Sequence, residues 1–249
     1  MSYAELIAAK HSTHALVADQ LLDELIAAAR GSDSRLLQQA ADVLDRWDRQ
    51  YLAESQGAWL FGAWFEKWLE RTIAKATAAD PDYSFTPAQL VGSLFYAQPF
   101  DATAPLTTPH GLADIPLALL ALQDAAGKFQ ATAGALDVAW GEIARLRRGR
   151  IDLPGNGAGT ALGVFREIVY EPDEDGKLKS SSGDTYIALV EFSQPVRAQV
   201  LTTYGNASQH NIFEIGDQLP LAAKQQLRPA WRTLDEIEAN LAIREILRR

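Results

Sequence analysis

The period of the hydrophobic positions changes partway along the chain. Up to about residue 150 they recur every three to four residues. Beyond it they alternate, or run together between glycines and prolines. Residues 14–30 place Leu16, Val17, Leu21, Leu25 and Ile26 at helical spacing, and Gly31 follows as a stop. Ser32, Asp33 and Ser34 can cap a second helix carrying Leu36, Leu37, Ala40, Val43, Leu44 and Trp47. A third helix is crowded with aromatics: Trp59, Phe61, Trp64, Phe65 and Trp68. The last four, with Thr72, fall on one face. Asp80, Pro81 and Asp82 break it, and Thr86 with Pro87 starts another. Residues 97–111 contain three prolines and read as a long irregular segment, either functional or a surface connector. Asp114 caps a helix with Pro116 in its first turn, and residues 136–146 read as a last helical stretch.

From Ile151 glycine, proline and β-branched residues become frequent. Residues 153–159 form a loop, 162–170 a strand, and 171–183 a charged, Ser/Gly-rich hairpin connection exposed to solvent. Residues 187–192 form an apolar run interrupted at Glu191, read as a strand buried on both faces, and Gln194 and Pro195 end it. A second strand follows over 196–204, then Gly205 and Asn206, which tolerate positive φ. Residues 218–226 and 234–246 read as C-terminal helix. The predicted class is α+β: a helical region over 1–150, and a β-strand region with a C-terminal helix over 151–249.

At 249 residues the chain can bury a substantial core. Its formal charge of -9 repels phosphate backbones, so nucleic acid is not an expected partner. No segment reaches the ~18 unbroken apolar residues of a membrane span, and residues 1–10 do not read as a signal peptide. With no cysteine there is no disulfide, thiolate nucleophile or Cys-ligated metal.

Candidate chemistry is sparse. Residues 155–159 alternate glycine with Asn156 and Ala158, which invites a phosphate loop. That mechanism needs a strand before the loop and a helix after it, whereas here a helix precedes and a strand follows, so a turn with unusual φ is the simpler reading. His11 and His14 form His-x-x-His without the further ligands zinc needs. Arg145, Arg147, Arg148 and Arg150 cluster where a helix is expected to end, suiting its dipole or an acidic neighbour. Asp45 with Asp48, and Asp173 with Asp175, read as solvated or capping groups. Asn206, Ser208, His210 and Asp217 supply the letters of a Ser-His-Asp relay within one polar loop, but such a relay is recognised by geometry. The aromatic helix over 59–68 is core packing or, alternatively, the platform of a non-catalytic binding or scaffold module.

Three motifs in order carry a resemblance. They are Trp47-Asp48 followed by Ser55-Gln56-Gly57-Ala58; Trp140-Gly141-Glu142 followed by Arg148-Gly149 and Leu153-Pro154; and Tyr204-Gly205-Asn206, Ser208-Gln209, Asp217-Gln218 and Arg228-Pro229-Ala230-Trp231. Together they resemble the C-terminal part of the β chain of the penicillin acylase family, in its acyl-homoserine-lactone and aculeacin acylase branch. Members are N-terminal-nucleophile (Ntn) amide hydrolases with an αββα sandwich. Their nucleophile, usually serine, is freed by autoproteolysis, its own α-amino group acts as base, and an Asn side chain with backbone N–H groups holds the oxyanion.

All those elements lie upstream of the part this chain resembles. The resemblance therefore implies no catalytic, cofactor-binding or metal residue here, and no cofactor. It implies a fragment that is inactive alone, whose partner is the missing N-terminal part of the acylase. The complete enzyme would cleave a small acylated amide, of penicillin, acyl-homoserine lactone or lipopeptide type. Its place would be periplasmic or extracellular. Loss of Met1 would expose Ser2 as a formal nucleophile, but Ser2 opens a helical stretch and not a core strand. In this reading Asp217 and Gln218 pin the loop through backbone hydrogen bonds.

Overall fold

Helix starts in the first half follow their capping residues. The computed structural model describes residues 1–79, 95–205, 216–241 and 244. Ser2 caps α1 (Tyr3–Lys10) through a capping box: Glu5 N–H donates to the Ser2 hydroxyl, and Ser2 N–H donates to the Glu5 carboxylate at 2.6 Å. Ser34 caps α3 (Arg35–Arg46), and Asp114 caps α5 (Ile115–Ala133), whose first turn holds Pro116. Between them lie α2 (Leu16–Arg30) and α4 (Ala58–Ala79). The helix expected over 14–30 starts two residues later, because His14 forms a β-bridge with Gln50. The expected break at residues 80–82 and the restart at Thr86 lie outside the described residues.

The aromatic face of α4 forms the centre of the larger core. Phe61, Trp64, Phe65, Trp68 and Thr72 are all buried. Trp64 stacks on Trp68 at 5.1 Å between ring centroids, and its indole N–H donates to the Ala118 carbonyl of α5 at 3.0 Å. Trp59, half-buried, stacks on Phe129 of α5 at 3.7 Å. Truncating a buried ring of this kind costs roughly 3–5 kcal/mol. The platform alternative therefore has no free aromatic face to work with.

Strands begin earlier than expected. A short antiparallel pair, β1 (Tyr96–Gln98) and β2 (His110–Leu112), brackets the proline-rich connection. The stretch expected to be helical over 136–146 holds only one helical turn, α6 (Trp140–Ile143), before β3 (Ala144–Arg148). The reason lies in the alternation: Ala144 and Leu146 are buried while Arg145 and Arg147 are half-exposed, a period of two that suits a strand. β3 pairs antiparallel with β4 (Ile151–Pro154) and parallel with β6 (Leu178–Gly183), which pairs antiparallel with β5 (Ile168–Pro172). The arginine cluster thus sits on a strand and its turn, not at a helix end. Arg147 binds Asp152, Asp173 and Asp175 at 3.1, 2.7 and 2.7 Å. The acidic hairpin turn expected to be solvated is tied down by this arginine, which holds Asp175 well below the usual carboxylate range, to about 2.

β7 (Tyr186–Glu191), β8 (Arg197–Thr202) and β9 (Arg228–Pro229) form a second, antiparallel sheet. Ile187 and Leu201 pack with Leu146, Ile168, Tyr204 and Leu219 into a smaller core between the two sheets. The expectation that 187–192 is buried on both faces is not met among the described residues: Val190 and Phe192 are 41% and 91% exposed. Of the expected C-terminal helix the described residues hold α7 (Leu219–Ala223) and α8 (Leu234–Ala239) with β9 between them, and residues 242–243 and 245–246 lie outside the described residues. The architecture is α+β.

Candidate functional site

The first two motif segments, far apart in sequence, meet between the helical layer and the sheets. Ser55 C=O accepts from Trp140 N–H at 3.0 Å, and Ala53 C=O from Gly141 N–H at 2.8 Å. Tyr51 meets the rings of Trp47 and Trp140 edge-on at 5.6 and 5.1 Å. A Cβ at Gly141 would stand 2.8 Å from both Ala53 and Pro154, so glycine is required by close approach. The Trp140 indole donates to the Gly157 carbonyl at 3.1 Å, which carries the network into the glycine loop.

That loop follows β4, a strand and not a helix, and leads into a 3-10 turn at Thr160–Leu162. It wraps a buried arginine instead of a phosphate. Arg166 has no exposed surface. Its Nε donates to Asn156 Oδ1, its Nη2 to the Ala222 carbonyl at 2.9 Å, and its Nη1 to His11 Nδ1 at 3.3 Å. The Asn156 amide donates to the Ala223 carbonyl at 3.0 Å, so loop and arginine together satisfy the end of α7. Ser12 C=O accepts from Arg166 N–H at 2.9 Å, and the Gln225 amide donates to the His11 carbonyl at 3.0 Å. The node therefore ties the end of α1, the glycine loop and the end of α7 into one unit.

Electrostatics at the node are those of a desolvated cation. Burial pushes the Arg166 guanidinium below its ordinary value. Burial, and then the charge of Arg166, lower His11 to about 4, so the ring is neutral. Because Nδ1 accepts from arginine, the ring proton sits on Nε2, which is buried without a partner among the described residues. Burial also pushes the Tyr51 hydroxyl well up, and that hydroxyl too is buried and unpartnered. Asp184, whose charge favours Arg166, is held by Lys10 at 2.6 Å.

This arrangement fixes geometry. Ser55 Oγ donates to Asp48 at 3.0 Å, beside an open recess of about 230 Å³ flanked by Arg46, Glu54 and Asp137. His14 pairs with Asp19 at 2.6 Å and with Gln50 at 3.1 Å, while His11 faces Arg166, so the two histidines point to different partners. Asp45 binds Arg30 at 2.8 Å and lies apart from Asp48 in role. Ser2 is engaged in the α1 cap. Asn206, Ser208 and His210 lie outside the described residues. Gln218 pins its loop as expected, its Oε1 accepting from Thr202 N–H at 3.0 Å. Sequence reasoning missed Arg166 and Tyr51. A signal was present for the arginine: Val164, Arg166 and Ile168 alternate inward, with exposures of 2%, 0% and 0%.

Comparison with known proteins places these features. The family profile described as penicillin amidase matches residues 1–239. An acyl-homoserine lactone acylase PvdQ of Pseudomonas fluorescens strain Pf-5 is 33% identical over 148 residues, covering 57% of this chain and 18% of its own length. The acylase of the same name from Pseudomonas fluorescens strain Pf0-1 is 25% identical over 227 residues, 90% of this chain and 27% of its own. This chain thus spans between about a fifth and a quarter of the relatives it matches. Among solved structures, a thermostable penicillin G acylase from Alcaligenes faecalis aligns over 96% of this chain and 47% of its own, at 14% identity and a TM-score of 0.43. No helix among the described residues is long and apolar enough to cross a membrane.

Proposed function

The chain belongs to the penicillin amidase family, and on that premise we propose that it is the C-terminal part of an acylase β chain, silent by itself. The complete protein is read as an Ntn hydrolase that cleaves an acyl group from an amine, of acyl-homoserine-lactone or penicillin type, in the periplasm or outside the cell. The observation that carries this reading is one of coverage: the family match runs through residues 1–239, yet the chain spans only 18% and 27% of the two acylases above. The node around Arg166 supports it, because its side chains lock secondary structure together. In this proposal the regions 1–150 and 151–249 serve as one scaffold, and the nucleophile, its α-amino base and the oxyanion donors come from the polypeptide upstream.

The test is to incubate the purified chain with an N-acyl-homoserine lactone and with penicillin G, following release of the free amine. The expected result is no turnover above buffer. Turnover that Ser2→Ala abolishes would overturn the proposal and make Ser2 the nucleophile. Reading the coding sequence upstream provides the second arm: an acylase-type polypeptide is expected there.

A further inference from the structure

We propose that the open face of the β7–β8 hairpin is a docking surface for an apolar layer of the acylase polypeptide outside this chain. This rests on the reading of the chain as part of a larger acylase, and it specifies where the remainder attaches. The cross-strand register places Ala188 opposite Val200 and Val190 opposite Ala198. Side chains two apart share a face of a strand. Tyr186, Ala188 and Val190 therefore line one surface with Ala198 and Val200, and Phe192 follows directly after the strand. None of these six is charged, and Arg228 of β9, paired with Val200, marks the charged border of the surface. The opposite face carries Ile187 and Leu201, 3% and 0% exposed in the small core. On the open face Tyr186, Val190 and Phe192 are 65%, 41% and 91% exposed.

An isolated exposed hydrophobic residue needs no explanation, but a contiguous apolar patch across two paired strands does. An antiparallel sheet with one wet face normally alternates apolar with polar residues. Here the run 187–192 is apolar on both sides up to Glu191, the composition of a strand with permanent cover on each face. β7 is also an edge strand of its sheet. The Tyr3 hydroxyl donates to one of its carbonyls, Leu189, at 2.8 Å, and no lysine or proline blunts the strand itself. The size of the relatives identifies the occupant: roughly three quarters or more of each acylase lies outside the stretch that this chain matches.

The experiment co-expresses the 249-residue chain with the polypeptide encoded immediately upstream in its native context, each with its own tag. Capture is compared for the wild type, for the double variant Val190→Lys/Phe192→Lys, and for Leu106→Lys, a control at a 98% exposed site off this sheet. Both substituted sheet positions face solvent, so the chain's own melting temperature should not move. The expected result is one-to-one capture by wild type and control, weakened by about a hundredfold or more in the double variant. Equal capture by all three would overturn the docking face while leaving the acylase reading intact. A wild-type homodimer that the double variant converts to monomer would assign the face to a second copy and overturn the proposal. An upstream polypeptide unrelated to acylases would remove both readings together.

Discussion

Replacing Arg166 with methionine tests the central node most directly. Methionine fills a similar volume but donates nothing, so Asn156 Oδ1 and His11 Nδ1 lose their donor, while Ala222 C=O still accepts from Gln225 N–H at 3.1 Å. Two buried acceptors left bare cost about 1–3 kcal/mol each. Against this, the variant no longer desolvates a cation, a penalty of several kcal/mol in an apolar setting that backbone carbonyls only partly offset. A net loss of about 3 kcal/mol is expected. For a chain of this size that lowers Tm by roughly 6–12 °C. A second readout separates the charge from the packing. Burial is the larger cause of the low His11 value and Arg166 the next, so Arg166→Met should move His11 from about 4 part of the way back toward 6.5. Melting temperatures across pH 4–8, with the His11 ring followed by NMR, check both. A Tm that stays or rises would refute the reasoning, since the desolvation of Arg166 would then outweigh what it satisfies. An unchanged His11 titration would show that the arginine charge does not reach the ring.

Further outcomes follow from the same geometry. In the wild type the folded His11 lies below its unfolded value, so the unfolded state binds more protons over that interval. Stability should be fully present above about pH 6.5 and lost as pH falls toward 4, by about 3 kcal/mol for a shift of this size, seen as an acid-side drop in Tm that His11→Gln removes. Gly157 has φ +76° and a Cβ there would stand 2.5 Å from the Arg166 carbonyl oxygen, so Gly157→Ala should cost at least about 2 kcal/mol by denaturant titration. Tyr51→Phe removes a buried hydroxyl without a partner and keeps the ring against Trp47 and Trp140. It should therefore stabilise by about 1 kcal/mol, and a Tm drop would show that the hydroxyl is satisfied after all. Ser34→Ala deletes the cap of α3, where Leu37 N–H donates to the hydroxyl at 3.4 Å, and should cost about 1 kcal/mol.

By itself the sequence determined the elements whose cause is local. Ser34 and Asp114 start their helices because a side-chain oxygen accepts an otherwise orphaned N–H. The aromatic spacing of α4 marks a buried face because residues three and four apart stack on one side of a helix. The motif order carried the family. Tertiary structure decided the features in which competing local readings had similar energies. Residues 144–148 were free to be helix or strand until pairing with β4 and β6 made the alternation decisive. Asp173 and Asp175 had no partner in sequence until the β5–β6 hairpin brought their turn to Arg147. Arg166 reads as an ordinary surface charge until His11, Asn156 and the end of α7 close round it, because burial of a cation depends on groups up to 155 residues away. Residues 187–192 carry a pattern for two covered faces, while this chain covers one. A strand's composition records every surface it packs against, and only the fold shows which of those surfaces are covered.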